Sequence, residues 1–376
     1  MGINEMAFEV FEEMLDYEDE LQLVVHELDN GTVVADAGVK ARGGLGAGIY
    51  LSRLCMADLA DIQLTPCDIS GVLLPGVHVA TDHPVVSCMA SQCAMWQIKL
   101  DKYFAMGSGP ARVLARKTKD LYEKIGFEEF SDVGVLVLES NRLPDTAVSA
   151  QIAEACGIDP ADLRLAVAPT DSVAGLMQVS ARVVETGLHK LFAMGFDITT
   201  IRSGWGRAPI SPIVGDATMC MGSSNDAIIY GGETYYTLNY ENLEELKQYL
   251  KGMPSLASRD YGAPFYKTFK AAGFDFFKVD HNVFAPAKVV MNETKSRRTF
   301  VSGRVNPEVL MSPSTWRRWT LLAKDRHEQG AAIFEDTFYR SPAADGRSAK
   351  RIRSVRPVFI MPPGFTSCPG RVNQRF

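Results

Sequence analysis

Apolar side chains recur every three or four positions among acidic ones at the start of the chain. The apolar positions are Met6, Phe8, Val10, Phe11, Met14 and Leu15. That period places them on one face of a helix, so the pattern predicts an acidic amphipathic helix over residues 5–20. Residues 21–26 and 32–39 then flank the turn signal Asp29-Asn30-Gly31, which predicts a β-hairpin.

Helical and strand patterns follow one another as far as residue 290. A helix through Gln92, Trp96 and Lys99 is predicted within residues 85–103, and further helices are predicted over 110–125, 146–156, 171–194 and 241–249. Strands are predicted over 133–139, 162–168, 227–230, 234–238, 274–279 and 284–290. The strand at 234–238 is expected to pair with the one at 227–230.

Residues 43–48 are glycine-rich and precede an apolar, helix-like run that ends near Leu59. A strand, a glycine-rich turn and a helix in this order are also found in dinucleotide-binding proteins. However, the spacing is not G-x-G-x-x-G, and no acidic residue ends a second strand where a ribose would need it. We therefore interpret these glycines as sites of close backbone packing rather than as a nucleotide-binding loop.

The composition is that of a soluble globular protein. Of the 376 residues, 46% are hydrophobic, 22% charged and 9% aromatic, and the length suits two or three domains. The N-terminus has no basic region followed by an apolar one, and apolar runs such as 133–138 are far shorter than the ~20 residues that span a bilayer. The sequence predicts a cytoplasmic protein without a membrane segment.

Charge divides the chain into an acidic body and a basic tail. Residues 312–376 carry 12 lysines and arginines against 5 acids, whereas residues 1–311 carry 27 against 40. An acidic body disfavours nucleic-acid binding, in which Lys and Arg must neutralise phosphates. The tail has scattered prolines and little periodicity. It is interpreted as a basic interaction tail, a disordered extension or an extraneous reading-frame product, and we expect it to be peripheral or disordered.

The seven cysteines and six histidines are dispersed. No Cys-x-x-Cys occurs and no two histidines stand four residues apart, so the sequence predicts neither a disulfide framework nor a metal site. A cysteine hydrolase using Cys88 with His83 and Asp82 is one alternative function. The crowding of these residues within one segment favours a buried structural cysteine instead.

Two other segments carry candidate chemistry. Ser108, Gly109 and Pro110 precede a predicted helix with Arg112 in its first turn. Free backbone N–H groups at a helix start beside a guanidinium could bind an anion, although a plain capped helix explains the pattern equally well.

The second segment is a polar stripe on the helix predicted over residues 171–194. Its members are Gln178, Arg182, Glu185 and His189, at spacings of four, three and four. The stripe is interpreted either as a solvent-exposed face with an ordinary ion pair or as a general base held by an arginine.

Seven motifs in this order resemble the methenyltetrahydromethanopterin cyclohydrolase family. They are Gly43-Gly44 with Ala47-Gly48, the segment 106–112, the segment 178–187, Ala208-Pro-Ile210, Asn225-Asp-Ala-Ile228 with Tyr230-Gly-Gly232, Ser258-Arg-Asp-Tyr-Gly262 and Phe284-Ala-Pro-Ala287. The resemblance runs from about Asn4 to Leu310. It therefore covers the acidic body, residues 1–311, and not the tail.

The resemblance implies a mixed α/β (α+β) fold of two side-by-side α/β domains with the substrate cleft between them, assembled as a homotrimer. It implies reversible hydrolysis of 5,10-methenyl-tetrahydromethanopterin to the 5-formyl form, in one-carbon metabolism such as methanogenesis, methane oxidation or formaldehyde oxidation, without a further cofactor. The chemistry agrees, because a carbocation conjugated to two nitrogens is already electrophilic and needs only a placed water and a base. A non-catalytic protein that binds a pterin or a phosphate is the second alternative.

The resemblance also assigns residues. Glu185 matches the family's catalytic glutamate, which would deprotonate the attacking water, and Arg182 matches the arginine that orients and tunes it. We further expect Ser108, Gly109 and Arg112 to bind an anionic end of the substrate. Gln92, Trp96, Gln178 and Ser258 are additional candidates for the cleft, chosen for residue type and context.

Truncation after Met311 tests the assignment of the tail. Because the resemblance ends near Leu310 and the charge changes sign there, we expect the shortened protein to keep its melting temperature, oligomeric state and cyclohydrolase rate. Loss of folding or turnover would show that the tail is an integral element and that this domain boundary is wrong.

Overall fold

A computed structural model describes residues 2–275 and 278–312, and contacts group them into one compact unit. The predicted tail lies outside the described residues, apart from Ser312. The α-helices are α1 (Ile3–Asp16), α2 (Glu18–Leu21), α3 (Leu45–Cys55), α4 (Ala111–Leu114), α5 (Lys119–Ile125), α6 (Thr146–Cys156), α7 (Val173–Ser180), α8 (Val183–Ala193), α9 (Ala217–Gly231), α10 (Leu243–Gly252), α11 (Phe265–Ala271) and α12 (Pro307–Leu310). A π-helix spans Val85–Gln92, and short 3₁₀ helices span Pro160–Asp162, Ile198–Thr200, Ser255–Ala257 and His281–Val283.

The strands form two mixed sheets. They are β1 (Val24–Glu27), β2 (Val33–Asp36), β3 (Asp61–Ile69), β4 (Val72–Thr81), β5 (Trp96–Leu100), β6 (Tyr103–Ser108), β7 (Gly134–Glu139), β8 (Leu163–Ala168), β9 (Ile201–Pro209), β10 (Glu233–Leu238), β11 (Lys288–Glu293) and β12 (Arg298–Gly303). The first sheet has the order β1-β2-β8-β7-β6-β5 and the second has the order β12-β11-β10-β9-β4-β3. Strand β8 is parallel to both β2 and β7, and β10 is parallel to β11; the other pairs are antiparallel.

The first sheet is covered by helices on both faces, and β7 shows why. Val135 and Val137 pack into a core with α1 and α3, whereas Leu136 and Leu138 pack into a second core with α6. Successive side chains of a strand point to opposite faces, so a strand buried on both sides is apolar throughout. The continuous apolar run in the sequence therefore follows from the position of β7 inside the sheet.

Helix α8 packs closely on the second sheet because glycines leave room for it. A Cβ on Gly204 would lie 2.8 Å from Val184 Cγ1, and a Cβ on Gly206 would lie 2.9 Å from Val183 Cγ1. A Cβ on Gly187 would lie only 2.0 Å from Tyr236 Oη. These distances are below van der Waals contact, so the first two turns of α8 hold a fixed place against the sheet.

Several predictions of the sequence analysis are confirmed. The fold is mixed α/β, the acidic N-terminal helix and the β1–β2 hairpin are present, and the helix at 146–156 has the bounds of α6. The glycine-rich turn is a site of close packing, since Gly43 has a φ of +56° and a Cβ on it would lie 2.0 Å from the Ala37 carbonyl oxygen. Among the described residues, no helix is both long and apolar enough to cross a bilayer.

Three predicted helices differ from the structure. The helix through Trp96 and Lys99 ends at Gln92, and those two residues belong to β5. The helix over 110–125 is divided into α4 and α5, because Arg116 and Thr118 have φ values of +48° and +69°. The helix over 171–194 is divided into α7 and α8 at Arg182, whose side chain bonds to other elements.

The strand predictions were less accurate in the second half. Residues 227–230 belong to α9 and not to a strand, because a short apolar run is equally compatible with a buried helix. Strand β10 consequently pairs with β9 and β11. Phe274, Asp275, Lys278 and Val279 are not in a strand, and the strand expected at 284–290 begins only at Lys288, as β11. Strands β3, β4, β6, β9 and β12 were not predicted, and β5 was predicted as part of a helix.

One buried carboxyl group generates a prediction about stability. Asp226 on α9 is 1% exposed, its Oδ1 accepts a hydrogen bond from Phe265 N at 2.8 Å, and burial raises its pKa to about 8. The folded protein therefore binds a proton that the unfolded chain releases near pH 4. Because the unfolded state binds fewer protons in this range, the free energy of unfolding should fall as the pH rises from about 4 to about 8.

Asp226→Asn keeps an acceptor for Phe265 N and removes the titration. Between pH 5 and pH 8, we expect the free energy of unfolding of the variant to fall less steeply with pH than that of the parent, by up to about 1.4 kcal/mol per pH unit. At pH 8 the variant should have the larger free energy of unfolding. Urea titrations at several pH values measure this. Parallel curves for the two proteins would contradict the burial argument.

Candidate active site

The guanidinium of Arg182 is bound by three separate elements. Its Nη1 donates to the Gln92 carbonyl oxygen at 2.8 Å, and its Nη2 donates to Ser108 Oγ at 2.7 Å and to Gln178 Oε1 at 3.1 Å. Its Nε also donates to Gln178 Oε1, at 3.3 Å. Gln178 lies on α7, Ser108 ends β6 and Gln92 ends the π-helix. The guanidinium is therefore fixed in position and orientation.

The helix is interrupted at Arg182, where the side chain binds these partners. Its φ and ψ are −82° and 4°, and it is the N-cap of α8. Ser108 is brought to it by the register of the first sheet, in which it pairs with Val137. The sequence period continues through Arg182, but the tertiary hydrogen bonds divide the helix there.

Glu185 lies in the first turn of α8, close to Arg182. Its Oε2 is 3.9 Å from Arg182 Nη1, and the two side chains are only 10% and 11% exposed. The polar stripe is therefore not a solvent-exposed face, and that interpretation is wrong. A carboxylate near the positive end of a helix and beside a fixed guanidinium is electrostatically balanced although it is nearly buried.

Three buried thiols surround this pair. Cys55 Sγ is 4.0 Å from Arg182 Nη2, and Cys88 and Cys93 lie on the π-helix and directly after it. Burial raises the pKa of Cys55 to about 11 and that of Cys88 to about 12, and burial together with Glu185 raises the pKa of Cys93. All three thiols are therefore neutral at physiological pH.

Five of the predicted site residues meet here. They are Gln92, Ser108, Gln178, Arg182 and Glu185. Gln92 is fully buried, its Nε2 donates to the Ala181 carbonyl oxygen at 3.4 Å, and its Oε1 has no hydrogen-bond partner in the described structure. Such an acceptor is unusual in a folded interior and is common at functional sites.

Gly109 and Arg112 lie next to this group but face the π-helix. The Gly109 amide donates to the Ser91 carbonyl oxygen at 2.9 Å, so it is not free to bind an anion. Arg112 is 0% exposed and donates to the carbonyl oxygens of Ala90 and Ser91 and to Thr118 Oγ1. Their predicted role as anion ligands stays a prediction.

Trp96 and Ser258 have other recorded partners than the guanidinium. Trp96 is on β5, with Lys117 Nζ 5.3 Å from its ring centroid. Ser258 donates to Asp280 Oδ2 at 2.8 Å. Within the described part of the chain, neither residue forms a hydrogen bond with Arg182 or Glu185. Their role in the substrate cleft therefore stays a prediction.

The geometry does not support a cysteine nucleophile at Cys88. Its thiol is fully buried with a pKa of about 12, whereas His83 and Asp82 are exposed. A nucleophilic cysteine needs thiolate character and a base within hydrogen-bond reach. Cys88 is a structural residue of the core beneath α8.

Sequence reasoning missed two residues of the site, Cys55 and Cys93. Cys93 follows Gln92 directly, so its position next to a candidate residue was an available signal. Nothing in the sequence around Cys55 relates it to Arg182, which stands 127 positions away. Only the packing of α3 against α7 places its thiol there.

Two other features of the described residues bear on what the site can hold. No three His, Cys, Asp or Glu side chains within 2–275 and 278–312 form a group that could hold a metal ion. An apolar groove lies elsewhere, and Arg182 and Glu185 do not line it. It is lined by Leu45, Leu74, Pro75, Val173, Leu176, Ile210, Ser211, Pro212 and Ile213.

Comparison with known proteins gives this arrangement a family. The chain matches the family described as Cyclohydrolase (MCH) over residues 2–313. It is 53% identical over 311 residues to a protein named methenyltetrahydromethanopterin cyclohydrolase from Methanococcoides burtonii, covering 83% of this chain and 97% of that relative. The chain belongs to the methenyltetrahydromethanopterin cyclohydrolase family.

Other relatives with the same name support this membership. The protein from Methanosarcina mazei is 53% identical over 312 residues, covering 83% of this chain and 97% of its own length. That from Methanocaldococcus jannaschii is 42% identical over 319 residues, covering 84% and 99%. The resemblance predicted from motifs is thus confirmed, and this cyclohydrolase is a hydrolase by family.

The bond from Arg182 to Ser108 gives a prediction about stability. Ser108→Ala removes an acceptor of a buried charge, so we expect this cyclohydrolase to lose about 1.5–3 kcal/mol of unfolding free energy. Ser211→Ala is the matched control, because Ser211 is also 3% exposed and bonds the neutral Ser223 Oγ at 2.7 Å. It should lose only about 0.5–1.5 kcal/mol.

Denaturant unfolding of the three proteins measures both losses. A larger loss in the Ser211 variant would show that the bond to the guanidinium contributes no more than a neutral one.

Proposed function

We propose that this protein hydrolyses 5,10-methenyl-tetrahydromethanopterin reversibly to 5-formyl-tetrahydromethanopterin, with Glu185 as the general base. Cyclohydrolase activity follows from the family, and the proposal concerns the substrate and the residues. The observation that carries it is the nearly buried Glu185 carboxylate, whose Oε2 is 3.9 Å from a guanidinium fixed by three other elements.

The reaction needs little beyond such a carboxylate. Water adds to the methenyl carbon and forms the C–O bond, while one proton passes to Glu185. The carbinol intermediate then collapses to the formyl group on N5 as the bond from carbon to N10 breaks. Of the two water protons, one ends on N10 and the other in solvent. Because the methenyl cation is itself the electrophile, placing the water and the base supplies the catalysis, and we propose that no further cofactor takes part.

Arg182 is proposed to hold the base rather than to react. Its Nη2 and Nε are used by Ser108 and Gln178, and its Nη1 is bound to the Gln92 carbonyl oxygen while it faces Glu185. A side chain fixed in this way needs no reorganisation during the reaction. The Glu185 carboxylate also attracts a cationic substrate, whereas a guanidinium not paired with a carboxylate would repel it.

Gln92 and Ser108 are proposed to form hydrogen bonds with the attacking water or with the substrate. Gln92 Oε1 is a buried hydrogen-bond acceptor without a partner among the described residues, and the carbonyl oxygen of the same residue binds Arg182. Ser108 Oγ accepts from Arg182, so its hydroxyl proton can be donated to another group. The homotrimer, the cytoplasmic location and the metabolic setting that the resemblance implies stay predictions.

An absorbance assay tests the proposal directly. Purified protein is mixed with methenyl-tetrahydromethanopterin, and the decay of the methenyl absorbance is followed beside the corresponding folate. Turnover of the methanopterin form supports the proposal. Saturable binding without turnover would instead support the non-catalytic pterin-binding alternative.

Glu185→Gln tests the role of the carboxylate. The amide is nearly isosteric but cannot take a proton from water, so kcat should fall by ~10²–10⁴ while substrate affinity changes little. Stopped-flow turnover and equilibrium binding measure the two quantities.

Glu233→Gln is the matched control, since Glu233 is also partly buried and pairs with Arg207 at 3.1 Å and with Lys288 at 3.5 Å, on the second sheet. It should retain parental kcat. Activity of the Glu185 variant within a few-fold of the parent would remove Glu185 from the mechanism.

A further inference from the structure

We propose that Arg112 is a positioning residue for the reaction, acting through the end of the π-helix that carries Gln92. This inference rests on the proposed function, because it concerns how the Arg182–Glu185 pair is held. It also differs from the role expected from the sequence, in which Arg112 binds an anionic end of the substrate.

Two buried arginines bind three consecutive carbonyl groups at the end of the π-helix. Arg112 Nη1 donates to the carbonyl oxygens of Ala90 and Ser91, at 3.3 and 3.2 Å. Arg182 Nη1 donates to the next one, that of Gln92, at 2.8 Å. The last carbonyls of a helix lack partners within it and carry partial negative charge, so guanidinium groups stabilise them.

The surroundings of Arg112 explain why a charge can be buried there. Arg112 is 0% exposed, and no carboxylate of the described residues lies within ion-pair distance of it. Its remaining bond runs from Nη2 to Thr118 Oγ1 at 2.9 Å. A buried guanidinium without a carboxylate must be compensated by dipoles, and the carbonyls of the helix end supply them.

Arg112 is connected to the Arg182 site through the chain as well as through these bonds. It stands four residues after Ser108, and Ser108 Oγ accepts from Arg182 Nη2. The segment that carries Ser108 and the helix end that carries Gln92 thus supply two of the partners of Arg182. Arg112 joins them, together with the bond from Gly109 N to the Ser91 carbonyl oxygen.

This geometry separates positioning from direct binding. Arg112 has no exposed surface, and both of its Nη atoms are bonded within the protein. Its Nε has no hydrogen-bond partner among the described residues but is buried as well. We therefore assign the guanidinium to positioning rather than to direct binding. Loss of Arg112 should therefore move the helix end and with it the guanidinium of Arg182. Displacements of about 1 Å in a catalytic group can cost ~10²-fold in rate.

The experiment compares Arg112→Met, Arg112→Lys and Tyr122→Phe with the parent. Tyr122 Oη donates to the same Ala90 carbonyl oxygen at 3.2 Å, so its loss weakens the same helix end without removing a charge. Arg116→Met is the matched control, since Arg116 is on the surface after α4 and pairs with Glu128. Steady-state kcat, per folded molecule, and KM are measured for all five proteins.

For Arg112→Met we expect kcat to fall about 10- to 100-fold with KM within about threefold of the parent. Arg112→Lys should recover part of this loss, and Tyr122→Phe should lower kcat roughly two- to tenfold. Arg116→Met should match the parent. If Arg112→Met does not fold, Arg112→Lys and Tyr122→Phe test the inference, because both should lower kcat with little change in KM.

The split between kcat and KM and the rescue by lysine distinguish positioning from a general loss of stability. Displacement of Arg182 should lower kcat per folded molecule at a nearly unchanged KM, and Arg112→Lys should recover part of the loss. Loss of folded protein lowers the apparent kcat only in proportion to the folded fraction, which circular dichroism measures.

Two results would overturn the inference alone. One is an unchanged kcat in Arg112→Met, and the other is a raised KM with unchanged kcat, which would assign Arg112 to substrate binding. Absence of turnover in the parent protein would overturn the proposed function and this inference with it.

Discussion

A buried guanidinium must have its donors satisfied, and in this protein that requirement joins the two sheets. Arg182 is bound by Gln92, Ser108 and Gln178, which come from the π-helix, the first sheet and α7. Its own helix, α8, packs on the second sheet, where glycines at 204 and 206 leave room for it. The position of Glu185, in the first turn of α8, depends on all of these contacts.

The Arg182–Glu185 pair is nearly shielded from water, and the thiols around it are uncharged. Cys55, Cys88 and Cys93 are buried, and their raised pKa values keep them neutral. Electrostatic interactions are stronger where water is largely excluded, so the Glu185 carboxylate beside Arg182 has a larger effect there than on a surface. The proposed substrate is a cation that is itself the electrophile, so a carboxylate in such surroundings would attract it and activate the water.

The sequence predicted the composition of this site better than its geometry. Gln178, Arg182 and Glu185 follow a helical spacing, and Ser108 and Gln92 stand in recognisable motifs, so all five were named. The division of the helix at Arg182 could not be predicted, because its cause is a set of bonds to residues 74 and 90 positions away. The surroundings of Arg112 could not be predicted for a related reason, because a basic residue at a helix start does not show whether it faces solvent or the end of a π-helix.

In the proposed mechanism Glu185 faces the carbon that reacts, and a crystal structure of Glu185→Gln with bound methenyl-tetrahydromethanopterin would show this arrangement. We expect one water between the methenyl carbon and the side chain at position 185, within about 2.6–3.2 Å of that side chain. A substrate whose methenyl carbon lies in the apolar groove lined by Leu45, Leu74 and Ile213, away from position 185, would contradict it.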